Sequence, residues 1–437
     1  MAKFLFAMWP FAGHVHPALA IGIALRERGH EVAYWSGGAA GPLIEGERFS
    51  FFPFTRVDEE KVTRLATNEF PWTPSRWQRI RTAPRIQAKF REWLLDTIPD
   101  QVADLDAILT EWRPDAIVCD LSVWGPFLIL HESRQIPVAV LSVQAACILP
   151  GPDAPMWGQG VPRPRTAWQR WRSRAAHSLL HILSAPFRAQ VNAMRGRYGL
   201  PAIDCSVTEY AAHMPLYLVP STPEYDYQRR DLPPSVRYVG PCLWDRSSQS
   251  QPPAWIDKLP TDQPLVCVTE PTIGTTEPFL LKAAAEALAD LPVQVVMTAG
   301  SQRNPSELGI RSAPNVRVES YVPHSYLLPR MSVMVTPGGS GGVLAALGSG
   351  VPMVIVPTEW DRPENAQRVV EAGAGLRIPA EHCTAGRLRA AVQQVLQDPS
   401  YRNAAQRLSV AFSKYKGPRQ AAGLLESLAL ASGKHDS

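Results

Sequence analysis

The sequence is poor in the features that mark several classes of protein. It has six cysteines in 437 residues, without a CxxC pair or a cysteine–histidine cluster, which argues against a disulfide framework or a zinc site. No apolar run approaches the roughly 20 residues of a membrane span. The formal net charge of +4 is too small to predict a nucleic-acid partner. Neither half carries GxGxxG after its first strand, which disfavours a nicotinamide dehydrogenase.

The composition that remains is that of an ordinary globular protein. The chain is 45% hydrophobic and 19% charged, and its length exceeds what one core usually supports, so we expect two domains. The apolar run near Met1 spans about five residues, below the 7–15 of a signal-peptide core, so no signal peptide is expected. The scattered cysteines fit a reducing compartment, and we expect a cytoplasmic protein.

The first half alternates strands and helices. An apolar strand, Phe4–Met8, is followed by a loop, a helix over Ala18–Arg28 and a second strand, Glu31–Trp35, which together form a βαβ unit and imply a parallel sheet. The same pattern predicts a strand that ends at Asp120 and a last strand of this domain over Leu216–Val219.

The second half repeats this alternation after a segment rich in Pro, Asp, Arg and Ser, with strands predicted over Leu265–Thr269 and Val333–Thr336 and a helix that begins at Val343. We therefore expect two facing, doubly wound, Rossmann-like α/β domains with parallel sheets, and a ligand cleft between their strand ends. The predicted units are a first domain over 1–220, a linker over 221–255, a second domain over 256–417, and a C-terminal helix and tail over 418–437.

His14 is the first candidate for chemistry. It lies in the loop after the first strand, where parallel sheets bind ligands, and an imidazole can accept a proton near neutral pH. Asp120 ends another strand of the same sheet and could fix the tautomer of His14, or it could cap a turn instead. His16, next to Pro17, is expected to be structural.

Two segments of the second half also follow predicted strands. The run Gly338-Gly339-Ser340-Gly341-Gly342 sits between a strand and a helix and could cradle a phosphate, or it could be a turn needed only for packing. Asp361 could accept hydrogen bonds from hydroxyls and Arg362 could donate two, but both also fit the start of a helix, where Asp361 would be the cap.

Two aromatic segments of the first half complete the candidates. Trp72, Trp77, Trp124 and Trp157 could line a pocket for a flat, apolar molecule, or they could pack under long loops. Residues 163–174 are basic and aromatic, which is typical either of peripheral contact with an anionic membrane or of a solvated helix face.

These elements, in this order, resemble a family 1 glycosyltransferase of the GT-B fold, most closely the bacterial macrolide-type enzymes that decorate small hydrophobic molecules. The resemblance covers nearly the whole chain. The matching pieces are Gly13–Pro17, Glu224–Asp226, Tyr238–Pro241, Tyr321–Pro323, Gly338–Gly341, Gly350–Pro352 and Asp361–Asn365.

The resemblance implies a hexosyltransferase that moves a sugar, with inversion, from a UDP or TDP sugar to a small lipophilic acceptor. The first domain would bind the acceptor and the second the nucleotide sugar, and the C-terminal helix would return to the first domain. His14 would be the general base and Asp120 its support. Asp361 would contact sugar hydroxyls. The donor would be held, without a metal and without a further cofactor, by Gly13, Thr272, His324, Gly338, Gly339, Ser340, Gly341, Gly342 and Arg362.

The chain departs from the family pattern at several donor positions. Pro337 stands where the family has a phosphate-binding histidine, Gly342 where it has a hydroxyl, and Ala345 where it has a ribose-binding glutamate. His324 and Arg362 replace glutamines. These departures keep two alternatives open: a binding or helper protein of the same shape with a decayed donor site, and a sugar-nucleotide epimerase or hydrolase.

Overall fold

The structure is a computed structural model that describes residues 1–67, 85–144, 148–158, 160–245, 251–270, 278–300, 303–311 and 313–432. Two parallel sheets organise it. The first sheet consists of β1 (Lys3–Ala7), β2 (Glu31–Ser36), β3 (Ser50–Pro53), β4 (Ala116–Asp120), β5 (Val138–Leu141), β6 (Leu216–Val219) and β7 (Val236–Tyr238). The second consists of β8 (Leu265–Thr269), β9 (Gln294–Thr298), β10 (Val316–Glu319), β11 (Val333–Thr336), β12 (Met353–Ile355) and β13 (Gly375–Arg377).

Helices connect and cover the strands. In the first half they are α1 (Ala12–Glu27), α2 (Gly41–Gly46), α3 (Glu59–Thr67), α4 (Ile98–Glu111), α5 (Ala167–Leu183), α6 (Ala185–Arg197) and α7 (Val207–Ala211). In the second half they are α8 (Phe279–Leu288), α9 (His324–Leu327), α10 (Ser340–Gly348), α11 (Arg362–Glu371), α12 (Ala385–Gln397), α13 (Pro399–Phe412) and α14 (Pro418–Ser432). Short π-helical turns occupy Arg91–Leu95 and Pro126–Leu130.

The strand order places the site. The first sheet runs β3-β2-β1-β4-β5-β6-β7 and the second β10-β9-β8-β11-β12-β13. The order therefore reverses between β1 and β4, and again between β8 and β11. Ligands of open parallel sheets bind at such reversal points, beyond the carboxyl ends of the strands. The loop before His14 and the residue Asp120 flank the first reversal, and the glycine run flanks the second.

Apolar residues explain why the central strands form. Every residue of β4, β8 and β11 is buried, because helices cover both faces of a parallel sheet. Four apolar clusters result, two for each sheet. The expected architecture of two doubly wound, Rossmann-like α/β domains is confirmed.

The C-terminal helix returns to the first domain, as expected. Ala421, Ala422 and Leu425 of α14 are fully buried in the cluster formed by β1 and α1. The Glu426 carboxylate accepts a hydrogen bond of 2.7 Å from Arg28 Nε. This hydrogen bond is the main reason why the pKa of Glu426 falls to about 2.

Two details of the predicted first domain are wrong. The sheet does not end at Leu216–Val219, because β7 adds a strand from within the predicted linker. Helix α1 begins at Ala12 rather than Ala18, because the Phe11 carbonyl accepts hydrogen bonds from the amides of His14 and Val15, at 2.8 and 2.9 Å. His14 therefore lies in the first turn of α1, and Pro17 lies inside this helix.

Within the described ranges, no helix combines the length and the apolar character that a bilayer crossing needs. The described cysteines, Cys119, Cys205, Cys242, Cys267 and Cys383, are free thiols.

Candidate active site

His14 and Asp120 are in direct contact at the first reversal point. The Nδ1 atom of His14 forms a hydrogen bond with Asp120 Oδ2, and the other carboxylate oxygen accepts one from the Ser122 amide at 2.6 Å. The Asp120 side chain is only 1% exposed, whereas that of His14 is 22% exposed. Asp120 therefore has both of the roles that the sequence left open, as partner of His14 and as acceptor in a turn.

The electrostatics of this pair favour a charged imidazole. Burial lowers the pKa of His14, but the charge and hydrogen bond of Asp120, together with the charge of Asp361, outweigh it and leave the pKa above its usual value. Burial likewise raises the pKa of Asp120, and His14 and Ser122 more than offset this. Because Asp361 belongs to the second domain, its influence shows that it lies within electrostatic range of His14.

The glycine run forms a tight turn into helix α10. Gly338 has a φ of 92°, in the left-handed region, and a Cβ there would lie 2.7 Å from the Ile355 side chain, so only glycine fits. Helix α10 begins at Ser340, earlier than predicted, so Gly341 and Gly342 lie in its first turn. The first amides of a helix have no partner within it and can bind an anion.

Several of the predicted donor glycines face free space. A Cβ placed on Gly13, Gly339 or Gly341 would meet no described atom within 4 Å. The backbone at these three positions is therefore open to a ligand. The structure also brings His324 next to the run, since a Cβ on Gly342 would lie 3.9 Å from the His324 ring. Burial lowers the pKa of His324, against the opposing charge of Asp245.

Asp361 is bound to the glycine run through side chains. Its carboxylate accepts hydrogen bonds from Ser340 Oγ and, at 2.9 Å, from Asn365 Nδ2. Asn365 Nδ2 also lies 2.9 Å from the Gly338 carbonyl oxygen. Asp361 occupies the N-cap position of α11, yet its side chain makes no capping hydrogen bond to the helix backbone. Its carboxylate is therefore turned toward the glycine run.

Arg362 and Glu270 are buried close to this network. The Arg362 guanidinium donates a hydrogen bond to Thr358 Oγ1 and lies 4.0 Å from Glu359. Burial lowers the pKa of Arg362, and the charges of Glu359, Asp361 and Glu270 act against this. One Glu270 oxygen accepts hydrogen bonds from the first amides of α8, those of Leu280 and Leu281, at 2.9 and 3.1 Å.

Aromatic rings surround His14 and extend across both domains. Phe11 lies edge-on to His14, with ring centroids 5.5 Å apart, and Trp93 is 6.2 Å from Phe11. Trp360, the neighbour of Asp361, lies 5.7 Å from Trp93 and 6.1 Å from Phe90. Trp360 has a φ of 62°, a conformation that costs a non-glycine residue roughly 1–3 kcal/mol and that clusters at functional sites.

The predicted acceptor tryptophans are distributed differently. Trp124 is buried in the first-domain core, with its ring 5.9 Å from that of Phe187, and Trp157 is more than one-third exposed. Trp72, Trp77 and Thr272 lie outside the described residues. His16, expected to be structural, packs against Trp244, with ring centroids 4.8 Å apart and the ring planes tilted by 60°. The acceptor roles of the four tryptophans stay predictions.

Three residues of the assembled site, Asn365, Trp360 and Glu270, were not among the predicted site residues. Asn365 ends the segment Asp361–Asn365 that carries the family resemblance, and Trp360 directly precedes that segment, so the sequence around Asp361 already contained the signal. Glu270 directly follows the buried strand β8, and a polar residue at such a strand end is itself a signal.

Two Rossmann-like domains whose strand ends carry these residues define a glycosyltransferase of the GT-B fold. Residues 282–428 match the family model described as "Erythromycin biosynthesis protein CIII-like, C-terminal domain". The chain is 33% identical to the 4'-demethylrebeccamycin synthase of Lentzea aerocolonigenes, over 98% of this chain and 99% of that protein.

Two solved structures share the fold across the chain. The kitacinnamycin glycosyltransferase superposes with a TM-score of 0.73 at 24% identity, over 98% of this chain and 99% of that one. The spinosyn rhamnosyltransferase SpnG, complexed with thymidine diphosphate, superposes with a TM-score of 0.70 at 18% identity, over 98% and 100%. The chain belongs to the macrolide-type branch of the family 1 glycosyltransferases, and it is a glycosyltransferase of the natural-product type.

Proposed function

We propose that this glycosyltransferase moves a sugar from a TDP or UDP sugar to a hydroxyl group of a small hydrophobic acceptor, with inversion at the anomeric carbon. His14 acts as the general base, and no metal ion takes part in the reaction. The enzyme works in the cytoplasm. The observation that carries the proposal is the contact of His14 with the buried Asp120, at the reversal point of one domain and within electrostatic range of Asp361 in the other.

The hydrogen bond between His14 Nδ1 and Asp120 determines which nitrogen of His14 acts as the base. Asp120 accepts a hydrogen bond from Nδ1–H of His14, which leaves the lone pair of Nε2 to take the proton of the acceptor hydroxyl. As the acceptor oxygen attacks the anomeric carbon, the bond from that carbon to the diphosphate oxygen breaks. The acceptor proton moves to Nε2, and the nearby Asp120 carboxylate stabilises the imidazolium that forms. Such base catalysis is typically worth about 10²–10⁴-fold.

The donor half rests on the glycine run. The amides at the start of α10 and the positive end of its dipole would stabilise the departing diphosphate. Gly13, Gly339 and Gly341 leave room for it on both domains. Asp361, held by Ser340 and Asn365, would accept hydrogen bonds from the sugar hydroxyls. Thymidine diphosphate bound to SpnG, a protein of the same fold, supports a TDP donor.

The acceptor half rests on the aromatic rings next to His14. Trp360, which is half-buried, would present flat apolar surface to the acceptor, and the buried rings of Trp93 and Phe11 lie behind it. A planar, lipophilic molecule with one hydroxyl aimed at His14 suits this arrangement best.

The test separates the base from the donor site. We expect His14→Ala to lower transfer from TDP-glucose or UDP-glucose to a panel of planar phenols by at least about 10²-fold, while TDP still raises the melting temperature. The matched control is His16→Ala, which should leave transfer unchanged because the His16 imidazole packs on Trp244.

Three outcomes contradict the proposal. Full transfer activity in the His14→Ala variant would exclude His14 as the general base. Failure of every nucleoside diphosphate to stabilise the unaltered protein would instead favour a helper protein with a decayed donor site, as Pro337, Gly342 and Ala345 suggest. Release of free or altered sugar without acceptor would favour a hydrolase or an epimerase.

A further inference from the structure

Helix α5 stands out because nearly all of it is exposed. Of the 17 residues from Ala167 to Leu183, only Ser173 is buried, and its hydroxyl donates a hydrogen bond of 2.6 Å to the Ala154 carbonyl. The helix nevertheless carries six large apolar side chains that are 50% to 66% exposed. They are Trp168, Trp171, Leu179, Leu180, Ile182 and Leu183.

These side chains form a continuous surface. Trp168, Trp171, Leu179 and Ile182, with Ala175 between them, recur at the three- and four-residue spacing that aligns residues on one side of a helix. The Trp168 and Trp171 rings stack, with centroids 4.8 Å apart. Ser173 falls on the opposite side, toward the protein. The apolar side of α5 therefore faces solvent, and an exposed patch of this kind marks an interaction site.

The charge carried by α5 itself has one sign. Residues 154–203 contain eight arginines and no aspartate or glutamate, but Arg163 and Arg165 pair with Glu371, and the buried Arg195 pairs with Glu132. Since the net charge of the whole chain is only +4, the rest of the chain is net negative. Arg170, Arg172 and Arg174 lie within α5 itself and are exposed. A helix with exposed tryptophans, exposed aliphatic residues and arginines matches the pattern of helices that lie in a membrane interface.

We infer that α5 is a docking surface for an anionic lipid bilayer. Trp168, Trp171 and Ile182 enter the boundary between headgroups and acyl chains, and the arginines contact the lipid phosphates. At the end of the helix, Leu183 widens the apolar surface beyond a single stripe. A fluid lipid phase can surround such a broad helix end.

A second copy of the chain fits this surface poorly. In a symmetric dimer built on α5, the arginines of one copy would face those of the other, because a two-fold interface pairs a patch with itself. Like charges placed across an interface oppose association. An anionic bilayer supplies the complementary charge without this repulsion.

The test uses the full chain and vesicle co-sedimentation. We expect the unaltered protein to bind vesicles of phosphatidylcholine mixed with phosphatidylglycerol, and to bind pure phosphatidylcholine far more weakly. Trp168→Ser combined with Ile182→Ser should lower the partition coefficient at least about tenfold, since it removes the inserted side chains. Arg170→Gln combined with Arg174→Gln should also weaken binding and flatten its salt dependence.

The matched control is Val410→Ser, an equally exposed apolar residue on α13, which should leave binding unchanged. Circular dichroism checks that each variant is folded. The inference is overturned if the unaltered protein does not bind anionic vesicles. It is also overturned if the Trp168→Ser/Ile182→Ser variant binds them as strongly as the unaltered protein. A dimer in sedimentation that this variant converts to a monomer would assign the surface to a second copy instead.

Discussion

At the scale of single residues, the imidazole of His14 depends on the carboxylate that ends a neighbouring strand. Asp120 fixes the orientation of the ring and, against burial, helps to raise its pKa. A base with a raised pKa is protonated, and therefore inactive, at the acidic end of the neutral range. The activity of the unaltered enzyme should thus fall as the pH drops through a value above 6.5.

We expect Asp120→Asn to change this pH profile. Without the carboxylate, burial dominates and the pKa of His14 falls, so the acidic limb of kcat/KM moves to lower pH. The maximal rate also falls, because the tautomer is no longer fixed. Ser122→Ala is the control, since it removes the hydrogen bond from the Ser122 hydroxyl to Asp120 but no charge, and it should move the limb little. If the acidic limb of kcat/KM does not move in the Asp120→Asn variant, a group other than His14 determines the pH profile.

The sequence predicts individual residues better than it predicts their partners. His14, Asp120, the glycine run and Asp361 could be selected because each follows a predicted parallel strand. The hydrogen bond from Asn365 to the Gly338 carbonyl and the contact of Trp360 with Trp93 could not, because each joins residues that are distant in the chain. The first contact exists only once the second domain has folded, and the second only once the two domains have packed together.

At the scale of elements, uninterrupted apolar runs made the central strands predictable. The bounds of β6, β8 and β11 agree with the prediction, since these strands are buried on both faces. The starts of α1 and α10 were predicted too late, because Pro17 and the glycine run suggest a break. Strand β7 was missed because it has three residues and an exposed centre.

The turn into α10 carries a prediction about stability. We expect Gly338→Ala to lower the free energy of unfolding by about 1–3 kcal/mol, because alanine is strained at a φ of 92° and its Cβ would overlap with Ile355. Gly341→Ala is the control: it lies in the first turn of the same helix, its Cβ meets no described atom, and it should not destabilise. Urea denaturation compares the two, and equal losses would contradict the strain at Gly338.

At the scale of the whole molecule, a buried charge network joins the two halves. Arg368 of α11 donates a hydrogen bond to Asp226 at 2.8 Å and lies 3.3 Å from the Glu364 carboxylate, and all three side chains are at most 3% exposed. Asp226 also accepts a hydrogen bond from Tyr238 of β7 at 2.7 Å. Glu364 accepts one from the Gly160 amide, also at 2.7 Å.

We therefore expect Arg368→Met to lower the free energy of unfolding by about 3–5 kcal/mol, because Asp226 and Glu364 would remain buried without their cation. The matched control is Arg134→Met. Arg134 binds Asp106 in an equally close pair, but its side chain is 54% exposed, so its loss should cost about 0–1 kcal/mol. Urea denaturation at neutral pH measures both. If the two variants lose the same small amount, the buried network does not stabilise the arrangement of the two domains, and other contacts must hold Asp361 within range of His14.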